Sequence, residues 1–227
     1  MNHFKRKLQA GMSLIELMIA MVLSLVVAAA IIVLFSNSKE TYILSENMAR
    51  LQENGRFATY LLSQDLRWTD YRACTLNIVP LLPNAINGDD DVSDNYGTDT
   101  VNIIRQMDEC PDPGTFVLPT PPTTLATEYS IQEGASGRPS LFRSVGGGAP
   151  VEMVEDISNL QILYGEDTDG DDIPNYHVDI DDVTNLEQVV SVQFTLTAQT
   201  PKVQQSTGGD VLTRDFTSTI VLRNRIP

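Results

Sequence analysis

The sequence predicts an α+β protein: a long N-terminal helix, membrane-spanning in its first half and amphipathic in its second, packed on an antiparallel β-sheet head. Three observations lead there. Residues 17–35, LMIAMVLSLVVAAAIIVLF, hold a single polar member, Ser24. No proline occurs from Ser36 to Arg72, and apolar residues recur there at helical spacing. After Cys74 the helical period gives way to short β-branched and aromatic runs broken by Gly, Pro, Asn and Asp.

The apolar run comes first. At ~1.5 Å per residue it is about long enough to cross a bilayer core. Lys5, Arg6 and Lys7 precede it, so the positive-inside rule places residues 1–11 in the cytoplasm and the rest outside. An ordinary secretory signal carries its small-residue cleavage site after the apolar run; here Ser36-Asn37-Ser38 offers none. The small residue Gly11 lies before the run instead, and a carboxylate, Glu16, sits at its edge. An unpaired charge in lipid costs a few kcal/mol.

Beyond the membrane, Leu44, Met48, Leu51, Ala58, Leu62 and Leu66 fall on one helical stripe. Gly55 occupies the missing position, which marks a bend or a close contact with the head. Lys39, Glu40, Arg50, Glu53 and Arg56 lie off the stripe. One face of this half is expected to be buried, and Trp68 and Tyr71 at its end are expected to pack between helix and sheet. The helix is expected over residues 12–72, with 12–36 in the membrane, and the β-rich head over 73–227.

In the head, strands are expected at 100–104, 115–118, 128–132, 140–145, 160–164, 189–196 and 216–222. In the sixth, Val190, Val192, Phe194 and Leu196 alternate with Ser191, Gln193 and Thr195; in the last, Phe216, Ile220 and Leu222 oppose Thr217 and Thr219. That alternation suits half-buried antiparallel strands, and one sheet covered by the helix buries both stripes. Residues 84–98, with Asp89, Asp90, Asp91 and Asp94, read as a mobile loop, and 119–124 and 204–210 as connections.

Charge and cysteine content bound the chemistry. Fifteen Lys and Arg stand against 30 Asp and Glu, a net charge of −15. Such a surface repels phosphates and argues against nucleic acid as a direct partner. Cys74 and Cys110 read as one disulfide of an exported domain, contributing roughly 3–4 kcal/mol in the chain-entropy model. With only His3 and His177 present, a zinc site is not expected. No Ser or Cys has an evident histidine partner, and Gly146-Gly147-Gly148 lacks the Lys-Ser/Thr of a phosphate loop. No enzymatic activity and no required cofactor are expected.

One segment looks like a site. In YGEDTDGDDIPNY, residues 164–176, Asp167, Asp169 and Asp171 alternate and Asn175 follows. Oxygens at loop positions 1, 3, 5 and 9 resemble the start of a calcium loop. Asp172 stands where the turn glycine is expected and Val178 where the bidentate carboxylate is expected; Asp179 or Asp181 is a substitute. Hard oxygen donors favour Ca²⁺ over transition metals. The plain alternative is a polar turn between strands.

The run Gly11-Met12-Ser13-Leu14-Ile15-Glu16-Leu17 before an unbroken apolar helix resembles the signal of type IV prepilins. The segment Arg50-Leu51-Gln52-Glu53-Asn54-Gly55-Arg56-Phe57-Ala58, then Leu61-Leu62-Ser63-Gln64-Asp65-Leu66-Arg67, with Tyr71 and Cys74 after it, resembles the PilW family of minor pilins. The acidic turn after Tyr164-Gly165 fits that family without any metal. The resemblance implies a type IV pilin-like fold, cleavage after Gly11 by a prepilin peptidase, methylation of the new amine on Met12, and a Glu16 carboxylate that meets the amine of a neighbouring subunit. It also implies a structural subunit helping to initiate a type IV pilus in a priming or tip complex. Its partners would be other minor and major pilins, the peptidase and the inner-membrane assembly platform. The chain would pass from the bacterial inner membrane, head in the periplasm, to the pilus surface. A type II secretion pseudopilin shares everything up to residue 72 and is the first alternative; a bitopic membrane protein with a ligand-binding head is the second.

Overall fold

A computed structural model describes residues 13–72, 84–92, 97–106, 124–201 and 211–226. The chain opens with one helix, α1, Leu14–Leu66, and continues in strands β1 (Ile86–Val92), β2 (Thr98–Gln106), β3 (Thr124–Glu133), β4 (Pro139–Val145), β5 (Val151–Glu155), β6 (Ile157–Glu166), β7 (Tyr176–Val178), β8 (Val189–Gln199) and β9 (Thr213–Val221). Short 3-10 turns at Ile180–Asp182 and Leu186–Gln188 lie between β7 and β8. Two compact units divide α1: residues 1–46 and residues 47–227.

Among the described residues the second unit holds two antiparallel sheets, ordered β1-β2-β3-β4-β5 and β7-β6-β8-β9. The expectation of one sheet is therefore corrected to two. Their inner faces share a core with the second part of α1. Leu51, Ala58, Leu62 and Leu66 meet Ile103, Tyr129, Ile131 and Leu141 from the first sheet and Leu160, Ile162, Phe194 and Leu196 from the second. The stripe read from the sequence is the buried face from Leu51 on, while Met48 is half-buried and Leu44 exposed. The alternation expected in β9 holds, with Ile220 buried and Thr217 and Thr219 exposed; in β8 it holds from Val192 on, with Val192, Phe194 and Leu196 buried, whereas Ser191, expected on the other face, is buried as well.

Gly55 is a close contact. A Cβ built there would lie 2.1 Å from Cε2 of Phe216 and 2.5 Å from two further ring carbons. The side-chain-free turn lets the helix backbone rest on β9, and Thr59 Oγ1 donates to the Gly55 carbonyl at 2.7 Å.

The helix stops at Leu66 rather than at residue 72. Asp70 takes a left-handed backbone, φ 56, which cannot continue a helix. Its N–H donates to the Ile104 carbonyl on β2. The last carbonyls of a helix lack partners within it; here those of Asp65 and Leu66 accept from Trp68 and Thr69 N–H, and just beyond the helix Asn224 Nδ2 donates to the carbonyls of Arg67 and Thr69 at 3.2 and 3.0 Å. Asp65 ties α1 to the first sheet, its Oδ2 accepting from Tyr129 Oη and Arg143 Nε, both at 2.8 Å. Trp68 and Tyr71 do not fill the helix–sheet interface. They are 42% and 37% exposed and stack edge to face, centroids 4.9 Å apart.

The expected loop at 84–98 is also corrected, since β1 occupies Ile86–Val92. β5 and β7 were not expected either, and all three are edge strands. The expected strand at 115–118, the connections at 119–123 and 204–210 and the Cys74–Cys110 disulfide lie outside the described residues.

Gly55→Ala is expected to destabilise the protein by about 1–3 kcal/mol through overpacking, although alanine is the better helix former by about 1 kcal/mol. In a Phe216→Ala background the sign reverses and Gly55→Ala stabilises. Chemical denaturation of the four variants checks both signs.

Candidate functional site

The helix start comes first. Ser13 precedes α1 and its carbonyl accepts from the N–H groups of Glu16 and Leu17. Glu16 is thus in the first turn, where a carboxylate complements the positive end of the helix dipole. Every residue from Ser13 to Lys39 is exposed. The helix contains an 18-residue window of mean hydropathy 3.1, none of it buried inside the chain. It is long and apolar enough to cross a membrane. Gly11 and Met12 lie outside the described residues.

The acidic turn joins β6 to β7. Asp167, Asp169 and Asp171 bring carboxylate oxygens within 4.8 Å of one another. Asp167 anchors the turn: Oδ1 accepts from the N–H groups of Asp169 and Gly170 at 3.2 and 2.8 Å, and Oδ2 from that of Asp172 at 2.8 Å. These bonds, the Gly170 amide foremost, hold its carboxyl below the usual aspartate range. Asp172 takes φ 65, the left-handed backbone a glycine was expected to supply, and aspartate tolerates it. Asn175 faces Thr168 instead of the carboxylates, its Oδ1 accepting from Thr168 N and Oγ1 at 2.7 and 3.0 Å. The turn keeps its shape with its own amides.

Glu166, next to this turn, is a residue that sequence reasoning missed. It is fully buried. Oε1 accepts from Asn185 N at 2.7 Å and from Thr184 Oγ1 at 2.5 Å; Oε2 accepts from Tyr176 Oη at 2.9 Å and Thr184 N at 3.3 Å. Burial opposes its charge, yet the hydrogen bonds from Thr184, Tyr176 and Asn185 outweigh burial and lower its pKa. The one available signal is a carboxylate that ends the strand directly before the Asp-rich turn.

His177 does have a serine partner, contrary to expectation. Its Nε2 lies 3.1 Å from Ser191 Oγ across β7, β6 and β8. Ser191 is 1% exposed, so the hydroxyl meets no substrate and the contact is packing.

A second carboxylate group lies on β1 and β2. Asp90, Asp91 and Asp99 bring oxygens within 4.8 Å of one another. Burial pushes the Asp99 carboxyl up to about 6, against hydrogen bonds from the amides of Ile162 and Asp91.

The comparisons with known proteins bear on both ends of the chain. The family described as Prokaryotic N-terminal methylation motif matches residues 6–32, which contain Gly11, Met12 and Glu16. The family described as Type IV Pilus-assembly protein W matches residues 128–219, from β3 to β9. Together the two matches support a type IV prepilin-like protein of the PilW family. A solved structure, the Type IV-like pilin TTHA1219 from Thermus thermophilus, is similar at 14% identity over 77% of this chain and 98% of that chain, with a TM-score of 0.44. No curated protein matches the chain. The PilW match takes in the Asp167 turn and Glu166, and ends within β9, the strand on which Gly55 rests.

In the head, the Glu166 bonds predict a pH dependence. Its folded pKa is below the ordinary 4.5. Its contribution is therefore fully present above about pH 4.5 and is lost as pH falls through the folded value. Glu166→Gln is expected to destabilise by about 1–3 kcal/mol at pH 7, with the gap to wild type closing below pH 4. Thermal unfolding followed by circular dichroism from pH 7 to 3 checks it.

Proposed function

We propose that this chain is a minor pilin that helps to initiate a type IV pilus, as a structural subunit of a priming or tip complex. The observation that carries the reading is Glu16: a carboxylate in the first turn of a helix whose following residues are apolar and exposed all round. Such a helix requires lipid or other helices as its solvent. A carboxylate within it requires a positive partner, since an unpaired charge there costs a few kcal/mol. The amine created by cleavage after Gly11 is the natural partner, on a neighbouring subunit. Pairing two charges that are each costly alone fixes axial register as well as affinity.

The role is mechanical. The leader targets the chain and prepilin peptidase removes residues 1–11. The helix waits in the inner membrane with the head in the periplasm, and then enters the filament core beside other minor and major pilins. The PilW match favours a pilus over a type II secretion system. No cofactor is required. Calcium at the Asp167 turn is an addition to this reading, supported by three hard carboxylates of the kind Ca²⁺ takes; the turn's shape does not depend on it.

Glu16→Leu tests the proposal in cells of the native host. The variant is expected to be matured and membrane-inserted at wild-type level, yet to fall at least about tenfold in sheared filaments, since a few kcal/mol is more than one decade in affinity. Incorporation equal to wild type would remove the assigned role of Glu16.

A further inference from the structure

A bulge places three carboxylates together, apart from the Asp167 turn. In the β1–β2 pair Asp89 lies opposite Thr100 and Val92 opposite Thr98, so Asp90 and Asp91 together face Asp99 alone. Asp91 takes φ 43 at this irregularity. Asp99 is 3% exposed and bridges to the second sheet: Oδ2 accepts from Ile162 N at 2.6 Å, and Oδ1 from Asp91 N at 3.2 Å. The 3-10 turn Ile180–Asp182 packs on β1. Asp179, just before it, feels the charges of Asp90, Asp182, Asp91 and Asp181. Asp179, a candidate to complete the Asp167 loop, is thus in the field of this other group. The charges that act most strongly on Asp99 and Asp179 are those of other carboxylates.

A second observation is independent of the carboxylates. Tyr164 is 1% exposed, and its hydroxyl has no hydrogen-bond partner among the described residues. The hydroxyl is aimed at the strand that carries the cluster. A Cβ built on Gly88 would lie 2.8 Å from it, and it lies in the field of Asp99, Asp89 and Asp90. An orphaned buried hydroxyl is unfavourable, and so is a buried carboxylate without counter-charge. One hydrated cation answers both: its charge offsets the carboxylates, and a water that it holds donates to the phenol oxygen.

We propose that Asp90, Asp91 and Asp99 form a Ca²⁺ site, with Asp179 approaching from the 3-10 turn and Tyr164 accepting a hydrogen bond from a coordinated water. The donors are hard carboxylate oxygens, set by a strand bulge and not by an ideal octahedron, which suits the variable coordination of Ca²⁺ better than the rigid octahedron of Mg²⁺. The ion fastens edge strand β1, through β2, to the segment that follows β7.

The test uses the full-length chain in detergent. Thermal unfolding is measured in EGTA, in millimolar Ca²⁺ and in millimolar Mg²⁺, and tyrosine-sensitised Tb³⁺ emission reports an ion close to Tyr164. Four proteins are compared: wild type, Asp90→Asn with Asp91→Asn, Asp169→Asn with Asp171→Asn, and all four substitutions together. Asp99 is left intact because its oxygens hold two backbone amides. Wild type and the Asp169/Asp171 variant are expected to gain several degrees in Ca²⁺, less in Mg²⁺, and to sensitise Tb³⁺. The Asp90/Asp91 variant is expected to lose most of both responses, to lose the rest when Asp169→Asn and Asp171→Asn are added, and to be at least as stable as wild type in EGTA, because two repelling charges are gone. The site is overturned if wild type gives neither response, if the Asp90/Asp91 variant responds as fully as wild type, if both responses vanish in the Asp169/Asp171 variant, or if the Asp90/Asp91 variant is less stable than wild type in EGTA.

Discussion

One unbroken helix has to satisfy two solvents, and the rest of the chain follows from that constraint. Over its first half no side chain is buried and almost none is polar. Left in water, each large apolar side chain there forgoes about 1.5–3 kcal/mol of burial. Lipid or the helices of other subunits must supply the cover. Glu16 is costly in the same surroundings unless paired, so the apolar cover and the charge together call for a partner. The PilW and N-methylation matches fit the proposal that an assembling filament meets that requirement.

From Asn47 onward the same helix meets a different demand. It needs only one buried stripe, and Leu51, Gly55, Ala58, Leu62 and Leu66 supply it. The two sheets close around that stripe, and Gly55 sets how near β9 comes. The helix end is then fixed from three directions: Asp65 by Tyr129 and Arg143, the Asp70 amide by β2, and the carbonyls of Arg67 and Thr69 just past the helix by Asn224. Arg225, beside that asparagine, donates from Nη1 to the carbonyls of Leu186 and Val189. The C-terminal turn therefore joins the helix end to the start of β8.

What the sequence disclosed depended on whether one physical demand dominated each segment. The helix and its stripe were legible because the spacing from Leu51 to Leu66 has a single explanation. β8 and β9 were legible because burial on one side imposes alternation. β1, β5 and β7 were not: each is an edge strand, where solvent accepts Asp, Glu or a short run without penalty to the ladder. INGDDDV has the composition of a loop, and pairing with β2 overrides it. Trp68 and Tyr71 were misplaced because aromatic content predicts burial only on average, and the edge-to-face pair stays at the surface. Asp167, Asp169 and Asp171 were legible as a group, whereas the partner of Asn175 was set by Thr168, which no spacing argument singles out. Glu166 and the Asp90–Asp99 bulge depend on strands distant in sequence, so only the folded chain brings their partners together.

The central claim is that this chain keeps its apolar helix and loses only the basic segment before it. Mass spectrometry of the mature N-terminus, from cells with and without prepilin peptidase, tests that directly. The account predicts a protein that begins at N-methylated Met12 only where the peptidase is present. Residues 1–11 retained in both strains, or a terminus beyond residue 35, would contradict it.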